Sequence, residues 1–558
     1  MAALQGMGPY RLLTAALEPS SALLCFLIFA FYFPGVHMVC RTGTSSECED
    51  SNFVPGYHLV GEGINVVTLE RAANYLINTN KWEKKNHTCT VCPNSLLEDT
   101  PLQKLPLSIV DWHIYNSCSR KISSSVLHSS FQVMELSASL VQNDWKVGLD
   151  INVKPPVNIQ VNLAGSHSRL AEFSMQKSGQ DKYSFTSHEI SCTYYRYQVN
   201  KKPFLTSHFV YILKNLPKSY NEMTKPNYRY VINTYGTHYI TELFLGGKMR
   251  DITAIKSCES SLDGITLDEV KDCLSVDASA TVKAKHKITG EFSTCEELKK
   301  KKNFKGSFYE KYNERQSELE GGEATADLLF AKEQDPEKFG KWIASLKTIP
   351  GIISFSLKPI HTLVRFQGPQ KENLRRAISE YIMESAVQKN CSSSCPSGAQ
   401  KSKRDSCSCF CSVATGINSM CCSTGRGFAK ITVNIHRATG LWGDYVSKTD
   451  AYVKVIIDNK EVRTTTVWNN DNPIWSVHFD FGTVQLNQGS SMNLQVWDED
   501  NHYDDDLLGA CDQPLSAGFH KKTCYLTHGN LEFLFNVVCG PHLGGPQCME
   551  YIPSPEKL

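Results

Sequence analysis

The sequence predicts a chain of α+β class in three parts: a large first domain, a small disulfide-rich connector and a C-terminal all-β sandwich. Three observations lead there. After residue 428, short runs alternate apolar and polar residues with period two and are separated by polar loops. Seven cysteines crowd between Cys391 and Cys422 amid Ser, Gly and Lys, in a stretch too poor in apolar residues to build a core without staples. The region 55–390 is long for one domain, yet no Pro/Gly/Ser-rich linker divides it.

Taken in order, residues 1–38 read as a signal peptide. The apolar run over 22–33 follows Arg11 and is too short to cross a bilayer of about 30 Å as a helix. Removing Cys25 from the 21 cysteines leaves 20, an even number suited to an oxidising secretory compartment. There Asn86-His87-Thr88 and Asn390-Cys391-Ser392 become glycosylation acceptors, and the expected location is secreted. The net charge of +1 points to no nucleic-acid partner, and the lysine run 299–302 with Lys305 reads as a solvated face.

Two segments of the first domain alternate over lengths sufficient for tilted membrane strands, which need about 9–11 residues. In one, Ile151, Val153, Val157, Ile159, Val161 and Leu163 alternate with polar residues; in the other, Leu274, Val276, Ala278, Ala280, Val282 and Ala284 do. Such alternation suits a barrel wall with lipid outside and water inside, and an ordinary half-buried sheet gives the same pattern. Between them lies Tyr228, six residues, then Tyr235-Gly236-Thr237-His238-Tyr239, followed by Gly246-Gly247.

In the C-terminal part, Ile431, Val433 and Ile435, then Ala451, Val453 and Val455, then Trp475, Val477 and Phe479 alternate as strands. Their loops carry Gly443, Asp444 and Asp450, and then Asp498, Asp500, Asp504, Asp505 and Asp506. Carboxylates this crowded repel one another unless a cation compensates, and hard oxygen donors without interleaved His or Cys favour calcium over zinc. Because the ionised form binds metal, calcium must compete with protons here. Trp442, Tyr445 and Tyr503 border the acidic loops, where amphipathic rings suit a membrane interface.

These motifs carry resemblances. The spacing from Tyr228 to Tyr239 resembles the signature of the membrane-attack-complex/perforin (MACPF) family, which places a Gly-Gly pair at a bend of its central sheet. Thr449-Asp450-Ala451-Tyr452, Asn472-Pro473-Ile474-Trp475 and the Asp498/Asp500/Asp506 set resemble a C2 domain. The resemblance implies calcium ligands at Asp444, Asp450, Asp498, Asp500 and Asp506, with Gly443, Asp504 and Asp505 as further candidates. The cysteine cluster is similar to an epidermal-growth-factor-like (EGF-like) module. The expected domains are thus MACPF 39–388 (a bent antiparallel sheet flanked by helical clusters), EGF-like 389–424, C2 425–535 and a tail 536–558. In the MACPF family the two alternating regions are helical in the soluble form and unfurl into β-hairpins in the pore.

Sequence leaves cysteine connectivity open. The resemblance implies Cys40–Cys92, Cys48–Cys89, Cys118–Cys192, Cys258–Cys422, Cys273–Cys295, Cys391–Cys407, Cys395–Cys409, Cys411–Cys421, Cys511–Cys524 and Cys539–Cys548. It further implies a non-enzymatic cytolysin that is stored in secretory granules, docks with calcium on target-cell phospholipid, assembles as a homo-oligomeric ring and admits granzyme-type proteases. The alternatives are a non-lytic membrane-tethering protein and a secreted enzyme; against the second, the sequence holds neither His-Glu-x-x-His nor Gly-x-Ser-x-Gly.

Overall fold

The computed structural model describes residues 40–558 except 120, 153–158, 283–307, 325–327, 331–335, 393–394, 396–398, 403–406, 408, 444, 501–503 and 556–558. The expected signal peptide therefore lies outside the described residues. The described residues divide into two compact units, one made of residues 40–53 with 83–105 and the other of 54–82 with those from 106 onward. In the first, strands Arg41–Gly43, Cys89–Pro93 and Leu102–Leu105 form a small sheet, stapled by Cys40–Cys92 and Cys48–Cys89. Its helix Ser45–Asp50 starts at a capping box of Thr44 and Glu47, which satisfies two orphan backbone donors at once.

The second unit is organised by an eight-stranded antiparallel sheet. Its strands are β1 (Glu62–Ile64), β2 (Arg71–Tyr75), β3 (Ile109–Cys118), β4 (Ser123–Leu127), β6 (Tyr183–Val199), β7 (His238–Lys256), β8 (Arg315–Glu320) and β9 (Gly351–Pro359). A separate short strand, β5 (Ile159–Asn162), pairs with β10 (Val387–Asn390). The order is β2-β1-β7-β6-β3, with β8 and β9 sharing the other edge of β7 and β4 extending β6. Seventeen-residue β6 and nineteen-residue β7 form the spine.

Helices cover both faces of that spine. Helices α1 (Ser130–Ala138) and α2 (Arg169–Ser178) begin at the N-caps Ser129 and Ser168. Val133 and Leu170 pack on Tyr183, Phe185, Ile252 and Ala254, which share one face of the paired strands. Helix α5 (Leu267–Val282) packs Leu267, Val270 and Leu274 around Ile255, on the opposite face. Between these segments come α3 (Ser207–Lys214) and α4 (Lys225–Tyr235), and α6 (Pro336–Ser345) and α7 (Gln370–Glu384) follow. With neither face wetted, nearly every residue of β7 is buried.

Local alternation over 274–282 taken alone reads as a strand; the structure makes it a helix, as the family resemblance implies for the soluble form. The buried residues Leu267, Val270, Leu274, Ala278 and Val282 recur at three- and four-residue spacing. Ala and Ser fit period two and period 3.6 equally, and Ala is the strongest helix former, so packing decides. The Thr266–Glu269 capping pair fixes where α5 starts. Ala284 lies outside the described residues. In the first alternating segment, Ile159 and Val161 are in β5, Leu163 is buried just beyond it, Ile151 has no regular structure, and Val153 and Val157 lie outside the described residues.

The C-terminal sandwich packs sheet β14-β11-β18-β17 on sheet β13-β12-β15-β16. The strands are β11 (Phe428–Thr439), β12 (Ala451–Ile457), β13 (Lys460–Arg463), β14 (Ile474–Gln485), β15 (Ser491–Asp498), β16 (Asp506–Pro514), β17 (Gly518–Tyr525) and β18 (Asn530–Cys539). Alternate residues Ile431, Val433, Ile435, Val453, Val455, Leu494, Val496, Phe533 and Phe535 fill the space between.

Candidate functional site

Strand register gathers the acidic loops of the sandwich. Ala451 faces Asp498 across β12 and β15, and Asp498 faces Asp506 across β15 and β16, so Asp450, Asp498 and Asp506 stand at one end of three adjacent strands. Asp498 is 2% exposed, and its Oδ1 accepts from the Asp450 backbone N–H at 2.6 Å. A Cβ built on Gly443 would lie 1.7 Å from Asp498 Oδ2, so only glycine lets the first loop close over that carboxylate. Asp505 accepts from the Tyr452 hydroxyl at 2.7 Å and from the Asp500 N–H at 3.2 Å, which makes it a brace for the third loop. Burial, with the Asp505 hydrogen bond behind it, pushes the Tyr452 phenol up to about 12 and keeps it a donor. Asp504 is exposed. Asp444 and Tyr503 lie outside the described residues.

Among the described residues no group of three or more His, Cys, Asp or Glu stands in metal-holding geometry. The donor chemistry nevertheless fits a hard divalent cation: oxygen ligands only, with a carboxylate cradle that a Cβ at position 443 would fill. Around it, Tyr445 is 91% and Val446 99% exposed, while Trp442, 42% exposed, meets the rings of Tyr445 and His528 edge-on.

A middle loop, residues 464–473, belongs to the same end; sequence reasoning used its Asn472-Pro473 turn but did not place the loop at the site. Asp471 Oδ1 accepts from the N–H and hydroxyl of Thr449, and Asn472 Oδ1 accepts from the Gly440 N–H. Asn469 donates its N–H to Asp450 Oδ1. The Asp471-Asn472-Pro473 string is the sequence signal, because Asx side chains bond nearby backbone.

The Tyr228–Tyr239 string is structural. Gly236 ends α4 at φ 78°, where a Cβ would press on the Ile64 backbone. The Thr237 hydroxyl donates to Ile64 O and accepts from the Val66 N–H, tying β7 to β1. His238 is fully buried, in contact with Trp145 O and the Thr237 hydroxyl, and burial lowers it to about 3. Tyr228 donates to Pro217 O, the Tyr235 hydroxyl meets His208 Nδ1, and Tyr239 is buried. At Gly246 the β6–β7 register shifts, and a Cβ there would lie 1.9 Å from Cys192 O; one on Gly247 would strike Leu346 and Trp342 of the α6 region. Beyond the bend, Arg250 is buried against Glu189 at 2.5 Å, an ion pair that sequence reasoning did not single out.

The connector between the domains is held by Cys391–Cys407, Cys395–Cys409 and Cys411–Cys421, and Cys258–Cys422 joins it to the chain just after β7. Cys118–Cys192 links β3 to β6; Cys511–Cys524 and Cys539–Cys548 lie in the C-terminal part. The Cys273–Cys295 pairing falls outside the described residues, since Cys295 does. Asn86 and Asn390 are exposed.

Three family models match stretches of this chain. The MAC/Perforin domain family matches residues 53–391, the Perforin-1-like EGF domain 390–424 and the C2 domain 429–528. Perforin-1 of Rattus norvegicus is 43% identical over 519 residues, covering 92% of this chain and 94% of the rat protein. Perforin-1 of Homo sapiens is also 43% identical, over 92% of this chain and 93% of its own. Complement component C6 of Bos taurus is 29% identical over 227 residues, 39% of this chain and 24% of the bovine protein. A solved structure titled "Structure of a C2 domain" matches 20% of this chain and 98% of its own, at 33% identity and a TM-score of 0.19.

Proposed function

The chain belongs to the membrane-attack-complex/perforin family, and from that premise we propose that it is a calcium-dependent pore-forming cytolysin. Proteins of this family form pores and are not enzymes. One observation carries the reading: both candidate segments are connections within a single sheet. Residues 128–182 join β4 to β6, and residues 257–314 join β7 to β8. Helix α2 runs into β6, and β7 runs into the helical stretch that holds α5. Each segment can therefore extend its flanking strands without any strand of the eight-stranded sheet changing place, although β5 would have to leave β10.

Docking comes first. Asp450, Asp498, Asp500 and Asp506, with Asp444, would hold calcium, and Gly443, Asp504 and Asp505 shape the loops around it. Bound calcium would neutralise these carboxylates and bridge them to phospholipid headgroups. Trp442, Tyr445 and Tyr503 would seat in the interface. Docking confines the chain to two dimensions and favours a homo-oligomeric ring. Assembly must accompany insertion, because open hairpin edges in lipid leave backbone groups unpaired at several kcal/mol each, and only a closed barrel satisfies them. The finished pore would admit granzyme-type proteases. Protons compete for the carboxylates, so an acidic storage granule would keep the loops unloaded and secretion would arm them. Calcein release from calcium-treated liposomes, with imaging for rings, is the test. Calcium-dependent binding without release or rings would overturn pore formation.

A further inference from the structure

We propose that Trp468, at the tip of the middle loop of the sandwich, is a further membrane-contacting side chain that seats in the headgroup zone of a phospholipid bilayer. The inference rests on the calcium-dependent docking proposed above and extends it to a loop that holds none of the proposed ligands. Trp468 is 64% exposed, and among the described residues no ring contact or hydrogen bond engages its indole. The same stretch of chain holds a second tryptophan with the opposite fate. Trp475 is buried and donates its Nε1–H to Thr465 O at 3.1 Å, which pins the base of the loop. An indole left in water costs the hydrophobic effect over a large surface, so its exposure at a loop tip asks for a partner.

The mount is tied by hydrogen bonds to the acidic end. Val467 and Ala451 exchange both backbone hydrogen bonds, at 2.9 and 3.1 Å. Asn470 donates its N–H to Thr449 O at 2.8 Å, and Asn469 donates its own to Asp450 Oδ1. Asn469 takes φ 53°, turning the chain back directly after Trp468. The tryptophan is therefore tied within a few residues to the same Asp450 that heads β12. Its flanks, Asn469, Asn470, Asp471 and Asn472, are polar. A large amphipathic ring among hydrogen-bonding residues suits the interfacial zone better than a dry protein contact. The exposed Tyr445 and Val446 of the adjoining first loop point to the same occupant.

The experiment uses the full chain with phosphatidylcholine vesicles at saturating calcium, comparing Trp468→Ala and Trp468→Phe with the unaltered protein by co-sedimentation. Trp468→Ala should raise the lipid concentration for half-binding roughly tenfold, with Trp468→Phe between the two. Melting temperatures close to that of the unaltered protein should accompany the loss, since the side chain is mostly exposed and, among the described residues, makes no ring contact or hydrogen bond. If the unaltered protein binds and Trp468→Ala binds equally well, the inference is overturned. Equal binding with lost ring assembly would assign the ring to a second copy of this chain instead of lipid. If the unaltered protein itself fails to bind with calcium, the docking reading falls and takes this inference with it.

Discussion

Asp500 and Asp505 are five residues apart and differ in what they hold. Asp505 is already committed to the Tyr452 hydroxyl and the Asp500 N–H, whereas Asp500 is one of the proposed ligands. Asp500→Asn should abolish calcium-dependent liposome binding at every pH, while Asp505→Asn should mainly raise the calcium needed; co-sedimentation against calcium reads both. A different residue-scale effect is expected at Arg250. Replacing it with Ala leaves Glu189 on β6 without this partner, and because Glu189 keeps some water the loss should be at most about 3 kcal/mol. Thermal unfolding of Arg250→Ala in chelator should show that loss, and an unchanged melting temperature would contradict it.

At the scale of elements, β6 and β7 hold helices on opposite faces that must leave before either strand can lengthen. His188 on β6 meets Lys271 O near the start of α5 at 3.0 Å, so this is a place where helix and sheet can be cross-linked. An engineered disulfide there should leave calcium-dependent binding intact and abolish dye release until reductant is added. Conducting pores from the locked protein would refute the hairpin assignment. Val161→Asp and Val282→Asp should lower release for another reason. A charge on the lipid face near the bilayer midplane costs up to about 2–4 kcal/mol, somewhat less when acidic.

For the whole molecule, pH acts twice. Burial holds His188 at about 4 and His238 at about 3, well below an ordinary imidazole near 6.5. The unfolded chain therefore takes up protons first as pH falls. The stability these groups contribute is complete above about 6.5 and is lost on acidification toward 4. In chelator the melting temperature should be lower at pH 4.5 than at pH 7, and His188→Gln should flatten that dependence. Liposome binding at fixed calcium should also fall from pH 7.5 to 5, because protons compete for the aspartates. Binding that is equal throughout, or that survives chelator, would remove these aspartates as calcium ligands.

The modules and the carboxylate-rich character of the acidic loops were legible in the residues alone. Period two over Ile431, Val433 and Ile435 admits a half-buried strand and little else, and the crowded aspartates give the acidic loops an oxygen-only donor set wherever the loops sit. The sequence also held the Tyr228–Tyr239 string, in which Gly236 answers a backbone demand within one turn of α4. Tertiary structure decided the rest. Leu274 to Val282 satisfies two periodicities, and only packing around Ile255 selects the helix. The ion pair of Arg250 and Glu189 spans 61 residues, and the ties from Asp471 to Thr449 and from Asn469 to Asp450 join separate loops. A local pattern fixes which way a side chain can turn along its own element. Which distant group it meets is set when the strands align, so the brace of the acidic end and the place of Trp468 became visible only in the fold.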